Sequence, residues 1–109
     1  MTREMQAMTS NDVALGVADR AKAIEFYTGI LGFKLAKETA EWAELESGAL
    51  KLYIVEDEVH EPCFELLVED VDSAKAAMEA AGCKQVDLAP GEVFMRDPFG
   101  YLFCVSRRR

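Results

Sequence analysis

The sequence predicts an α+β fold: two tandem βαβββ modules forming a curved, cup-shaped mixed sheet with the helices on its outer face. Three observations carry that prediction. Apolar residues alternate with period two at Val13, Leu15 and Val17, and again at Phe64, Leu66 and Val68, the pattern of half-buried strands. Each of these runs leads into an Asp-containing corner, an alanine-rich stretch and a glycine: "VALGVADRAKAIEFYTGILGF" from Val13 and "FELLVEDVDSAKAAMEAAGC" from Phe64. The two copies also keep step, with Val17 matching Val68, Gly32 matching Gly82 and Gly48 matching Gly100 at roughly 50 positions, which marks a duplicated supersecondary unit.

Element by element, the first module opens with a strand at Val13–Val17. Asp19 then caps a helix whose Ala23, Tyr27 and Ile30 share one face, and Gly29 and Gly32 end it. Three short strands follow, at Gly32–Lys37, Trp42–Glu46 and Leu50–Val55. The second module repeats the order. It has a strand at Cys63–Val68, a helix at Ser73–Ala81 capped by Asp72 and stopped by Gly82, and strands at Lys84–Asp87, Glu92–Arg96 and Tyr101–Ser106. The last two strands are joined by Asp97-Pro98-Phe99-Gly100, a turn in which Asp and Pro take the leading positions and Gly the permissive one. "EDEVHEP", Glu56 to Pro62, is charged and ends in proline, as a linker does. The expectation is one domain over 11–106, made of modules 11–55 and 63–106 and preceded by a loose polar leader.

Composition narrows the function. The chain has 109 residues, half of them hydrophobic and 29% charged, which suits one globular core rather than a disordered chain. A net charge of −8 disfavours nucleic acid, whose phosphates attract basic surfaces; Arg107, Arg108 and Arg109 read as a solvated basic tail. No apolar run approaches the roughly 18 residues of a membrane span, and "MTREMQAMTSND" lacks the apolar core of a signal peptide, so a cytoplasmic location is expected. Cys63, Cys83 and Cys104 form neither an even disulfide set nor a CxxC pair, and read as reduced.

Strand alternation gives each module a second face, opposite its helix. It carries Asp12, Ala14 and Gly16 in one module and Cys63, Glu65 and Leu67 in the other, a mixture of small and polar groups suited to a small-molecule site. Trp42, Tyr53, Phe94 and Tyr101 are the aromatic candidates for lining it. Glu44, Lys51, Glu65 and Arg96 are the polar ones, a set that fits a planar or amphipathic ligand. The plainer reading makes half of these aromatics ordinary core, and Glu44 with Lys51 a cross-strand surface pair. Other chemistries lack their residues. There is no GxSxG or glycine-rich phosphate loop; His60, the single histidine, falls in the linker; and Cys63 shows no base beside it.

"DVALGVAD…AIEFYTGILGF", "VEDVDSAKAAMEAAG" and "RDPFGYLFCV" together resemble the vicinal oxygen chelate superfamily, which includes glyoxalase I, the extradiol dioxygenases and the bleomycin resistance proteins. The resemblance runs from Asn11 to Ser106. It implies the duplicated fold, a homodimer, and in the family's enzymes four metal ligands, one on the first and one on the last strand of each module. Those positions fall here on Asp12, on Leu52 (or Lys51 if the register slips by one), on Cys63 and on Cys104, and no position carries the His, Gln or Glu usual in the family. The expectation is therefore a binding protein without metal or other cofactor, one that sequesters a drug or metabolite. The alternatives are a lyase, isomerase or dioxygenase, metal-dependent or relying on Glu and Tyr as acid–base groups, and an accessory interaction module without ligand.

Overall fold

A computed structural model describes residues 6–56, 58–89 and 91–109. The chain is α+β and forms two compact units: Asn11–Cys63, and Phe64–Arg109 with residues 6–10. Among the described residues no helix is long and apolar enough to cross a membrane.

In the first module, β1 (Met8–Val17) leads to α1 (Arg20–Glu25), a π turn (Phe26–Ile30), β2 (Lys34–Glu38), β3 (Trp42–Glu46) and β4 (Lys51–Glu56). The strands lie in the order β2-β3-β4-β1, with β1 parallel to β4 and the other pairs antiparallel. Asp19 caps α1 as expected, its carboxylate accepting from the Lys22 amide at 3.0 Å. Leu15, Ala43, Leu45, Leu52 and Ile54 form the core, against which Ala23, Ile24 and Tyr27 pack from the helical segment. Ile30, expected on that same helical face, is 74% exposed. The cause is one surplus residue. Asp19 to Gly32 spans one position more than Asp70 to Gly82, and the helical segment takes up the difference as the π turn. Gly29 therefore lies within that turn, and the chain reverses at Gly32, where φ is +78°.

The second module comprises β5 (His60–Val68), α2 (Val71–Ala80), β6 (Lys84–Val86), β7 (Val93–Arg96) and β8 (Leu102–Arg107). Its strand order is β5-β8-β7-β6, with β5 and β8 parallel. The helix begins two residues earlier than the sequence suggests. Asp70, not Asp72, is the cap, with extended φ and ψ and its Oδ1 accepting from the Ser73 amide at 3.1 Å. Asp72 falls instead in the first turn, where its charge suits the helix dipole. This start brings Val71 against the core of Val68, Ala74, Met78, Met95, Phe103 and Val105.

Two segments expected to be irregular are partly strand. Met8, Thr9 and Ser10 extend β1, so the expected leader is ordered strand there; residues 1–5 lie outside the described residues. The expected linker is shorter too, since His60, Glu61 and Pro62 begin β5; Asp57 lies outside the described residues. Polar composition hid these segments, because a ladder is made by backbone groups and tolerates charged side chains at exposed positions.

Candidate functional site

On β3 and β4 of the first module, every second residue points away from the core. Ala43, Leu45, Leu52 and Ile54 are buried, so Trp42, Glu44, Lys51 and Tyr53 share the opposite face with Asp12, Ala14 and Gly16 of β1. This settles the register that the sequence left open. Leu52 is core, 8% exposed, and Lys51 is the outward residue opposite Asp12 on one side and Glu46 on the other. Glu44 lies opposite Tyr53, so the expected Glu44–Lys51 pair is replaced by a Glu44–Tyr53 pair.

The rings of Trp42 and Tyr53 lie 5.7 Å apart at 59°, a tilted aromatic pair. The Tyr53 hydroxyl donates to Glu44 Oε1 at 2.9 Å. The Lys37 ammonium sits 5.5 Å from the Trp42 ring centroid, a cation–π contact from β2 that the sequence reading missed. A bulge between Leu35 and Lys37 shifts the β2 register, and no sequence pattern marked it. Gly16 has no room for a side chain: a Cβ there would stand 2.0 Å from the Glu58 carbonyl oxygen and 2.6 Å from His60 Cδ2. The connector into β5 therefore lies against this end of the face.

In the second module the outward residues are Glu65, Phe94, Arg96, Leu102, Cys104 and Ser106, since Leu66, Val93, Met95, Phe103 and Val105 face the helix. Phe94, Cys104 and Glu65 form one cross-strand row. Phe94 is buried, and Cys104 Sγ donates to the Phe64 carbonyl at 3.8 Å. Ser106 Oγ donates to Glu65 Oε2 at 2.7 Å, and Arg109 Nη2 lies 3.0 Å from Oε1. Burial pushes the Glu65 carboxyl up; hydrogen bonds from Arg109, Ser106 and Ser10, together with the Arg109 charge, outweigh it and hold the pKa below the ordinary value. The sequence reading gave Arg109 to solvent. The available signal was parity, because Ser106 stands two residues beyond Cys104 and shares its side of β8.

Two expected site residues also brace the turn. Tyr101 is 69% exposed and precedes β8; its amide donates to Asp97 Oδ1 at 2.9 Å and its carbonyl accepts from the Asp97 amide at 2.8 Å. Arg96 faces outward, but its Nη1 donates to the Gly100 carbonyl at 2.8 Å, bracing the same turn. An open groove of about 470 Å³ in the first module shares Lys51 with the Trp42–Tyr53 face and is lined also by Asn11, Phe33, Lys34 and Ser47.

The four positions matched to the superfamily's metal ligands are Asp12, Leu52 (or Lys51), Cys63 and Cys104. Leu52 points into the core, and Lys51 stands opposite Asp12 in the β1–β4 pairing. Among the described residues no group of three His, Cys, Asp or Glu is placed to hold a metal ion.

A family model described as the Glyoxalase/Bleomycin resistance protein/Dioxygenase superfamily matches residues 9–105. A solved structure of a member of that superfamily from Vibrio splendidus 12B01 is 14% identical, with 96% of this chain and 100% of that one covered and a TM-score of 0.62. A hypothetical protein from Bacillus halodurans C-125 is 16% identical, with 94% and 95% covered and a TM-score of 0.62. Homoprotocatechuate 2,3-dioxygenase from Brevibacterium fuscum, in its complex with 3,4-dihydroxyphenylacetate, is 21% identical over 95% of this chain but 37% of its own length, at a TM-score of 0.66. No curated protein matches the sequence. At these identities the structural likenesses speak for the fold, while the family model spans nearly the whole chain: the protein belongs to the glyoxalase/bleomycin resistance protein/dioxygenase superfamily.

Proposed function

We propose that this chain is a small-molecule-binding member of its superfamily that holds a planar or amphipathic ligand without a metal ion. The observation that carries the reading is the outward set on β3 and β4: the Trp42–Tyr53 ring pair, with Tyr53 already bonded to Glu44. Two packed rings offer stacking area at low conformational cost, and a carboxylate tied to a phenol gives a fixed polar end. Lys51 beside Asp12 favours the metal-free form of the reading, because its ammonium repels a divalent cation.

The test is calorimetry of the full chain in chelator against a panel of planar phenols and aryl acids, followed by Trp42 fluorescence. A ligand should bind in chelator, shift Trp42 emission, and lose affinity by about tenfold or more in Trp42→Ala, the scale of a stacked aromatic contact. A ligand that binds only with added metal, or binds with Trp42 emission unchanged, overturns the reading.

The Tyr53–Glu44 bond favours a second reading, a lyase or isomerase in which Glu44 accepts a substrate proton. Product formed in the same samples, and abolished in Glu44→Gln, would select it; unchanged ligand after prolonged incubation removes it.

A further inference from the structure

We propose that Glu65 is the anchor of a cation-binding subsite on the second module, taking an amidinium, guanidinium or primary ammonium group, and that the Arg109 side chain occupies the ligand's place. The proposal deepens the small-molecule reading by naming a ligand class, and it rests on Glu65, Ser106, Ser10 and Arg109, none of them part of the Trp42–Tyr53 face.

Glu65 is an unusual residue for its position. Its side chain is only 15% exposed, and burying a carboxylate is costly unless its oxygens are satisfied. The fold does not require an acid there, since the matching position of the first module, three residues before Val17 as Glu65 is before Val68, is Ala14. What keeps the carboxylate is a set of fixed donors. Ser106 on β8 donates to Oε2 at 2.7 Å, and Ser10 on β1 adds a second hydroxyl. Cys104 is the cross-strand partner of Glu65, and Phe94, buried, is the next residue of the same row beyond it.

The cation is the replaceable part. Arg109 reaches Oε1 at 3.0 Å from backbone beyond the end of β8, and its side chain is 61% exposed. On its exposed arginine side the pair competes with water, while the serine hydroxyls stay with their strands. The arrangement is thus a pre-organised acceptor filled by a surface guanidinium, and a small cation with an apolar body can exchange for it.

Benzamidine is the probe, because its amidinium reproduces the fork of a guanidinium and its ring offers an apolar body; benzamide is the neutral control of the same shape. In calorimetry on the full chain, benzamidine should bind and benzamide should not. Arg109→Ala should tighten benzamidine binding by about fivefold by removing the internal competitor. Glu65→Gln should abolish it, and Ser106→Ala should weaken it while leaving the chain folded by circular dichroism, which keeps the test valid if Glu65→Gln unfolds. Equal binding of benzamide, or an affinity unchanged or lowered in Arg109→Ala, would overturn the proposal. Failure of the Trp42 experiment leaves it standing, because the benzamidine arm reads only Glu65, Ser106 and Arg109.

Discussion

The two modules share one plan and differ on the face their helices leave open. In the first, that face carries a ring pair and a phenol–carboxylate bond, and one of its positions is a glycine with another segment laid against it. In the second, the matching face carries a carboxylate satisfied by a serine and an arginine, with a buried phenylalanine two strands away in the same row. The helices differ in a parallel way: α2 buries Ala74 and Met78, whereas α1 and its π turn are only half-buried at best. Duplication fixes which side chains point in and which point out. It leaves the outward set free to diverge, so the outward set is where any difference in chemistry between the halves resides.

The largest expected effect tests the most lopsided matched pair, Gly16 and Leu67, each one residue before the strand-end valine. A methyl group at Gly16 would meet the Glu58 carbonyl oxygen at 2.0 Å, a backbone atom that can retreat only if the connector moves. Gly16→Ala should therefore cost about 3 kcal/mol, the upper end for overpacking, in denaturant unfolding. Leu67 is half-buried, and Leu67→Ala should cost about 1 kcal/mol through lost burial. Equal costs would mean that the connector is not held against Gly16.

A middle-sized effect concerns the surplus residue in the first helical segment. Leu31 donates to the Phe26 carbonyl at 3.3 Å and Phe33 to the Tyr27 carbonyl at 2.9 Å, both longer reaches than an α-helical turn. In the second module the closing bond runs from Cys83 to the Met78 carbonyl at 2.9 Å, one residue shorter. Deleting Gly29 should convert the first arrangement into the second. Because Phe26, Gly29 and Ile30 are all exposed, the deletion should change unfolding free energy by no more than about 1 kcal/mol. A loss of cooperative unfolding would show instead that the π turn is required for the first core.

The contrast also shows what the sequence could reveal. Strand parity was legible, because a buried face imposes alternation: Val13, Leu15 and Val17 point inward, and Trp42, Glu44 and Tyr53 point outward. Parity does not report register. Lys51 and Leu52 were interchangeable as site positions until pairing with Asp12 and Val13 fixed which one faces out. Helix boundaries failed where two aspartates competed, and Asp70 prevailed over Asp72 because starting there packs Val71 against the core. The Glu65 cluster was the least legible. Its donors come from β1, from β8 and from beyond β8, and only tertiary structure brings those segments to one carboxylate.

The smallest effect is the pH dependence of that carboxylate. Burial raises the Glu65 pKa, but its hydrogen bonds and the Arg109 charge bring the folded value below the ordinary 4.5. A carboxyl with a depressed folded pKa binds protons more readily when unfolded, so its stabilisation is complete above the ordinary value and vanishes as pH falls through the folded one. The ion pair is largely exposed on the arginine side, which limits the contribution to about 1 kcal/mol or less. Wild type should therefore exceed Glu65→Gln in stability at neutral pH by that amount, and the two should converge as pH falls below 4.5 and through the folded pKa. Arg109→Ala should remove part of the difference, and about 0.5 M salt should shrink it, because an exposed charge pair is screened. A gap that persists undiminished into acid would mean that Glu65 stabilises the second module through its shape and hydrogen bonds rather than its charge. Its ionised form would then be held for a partner other than the fold.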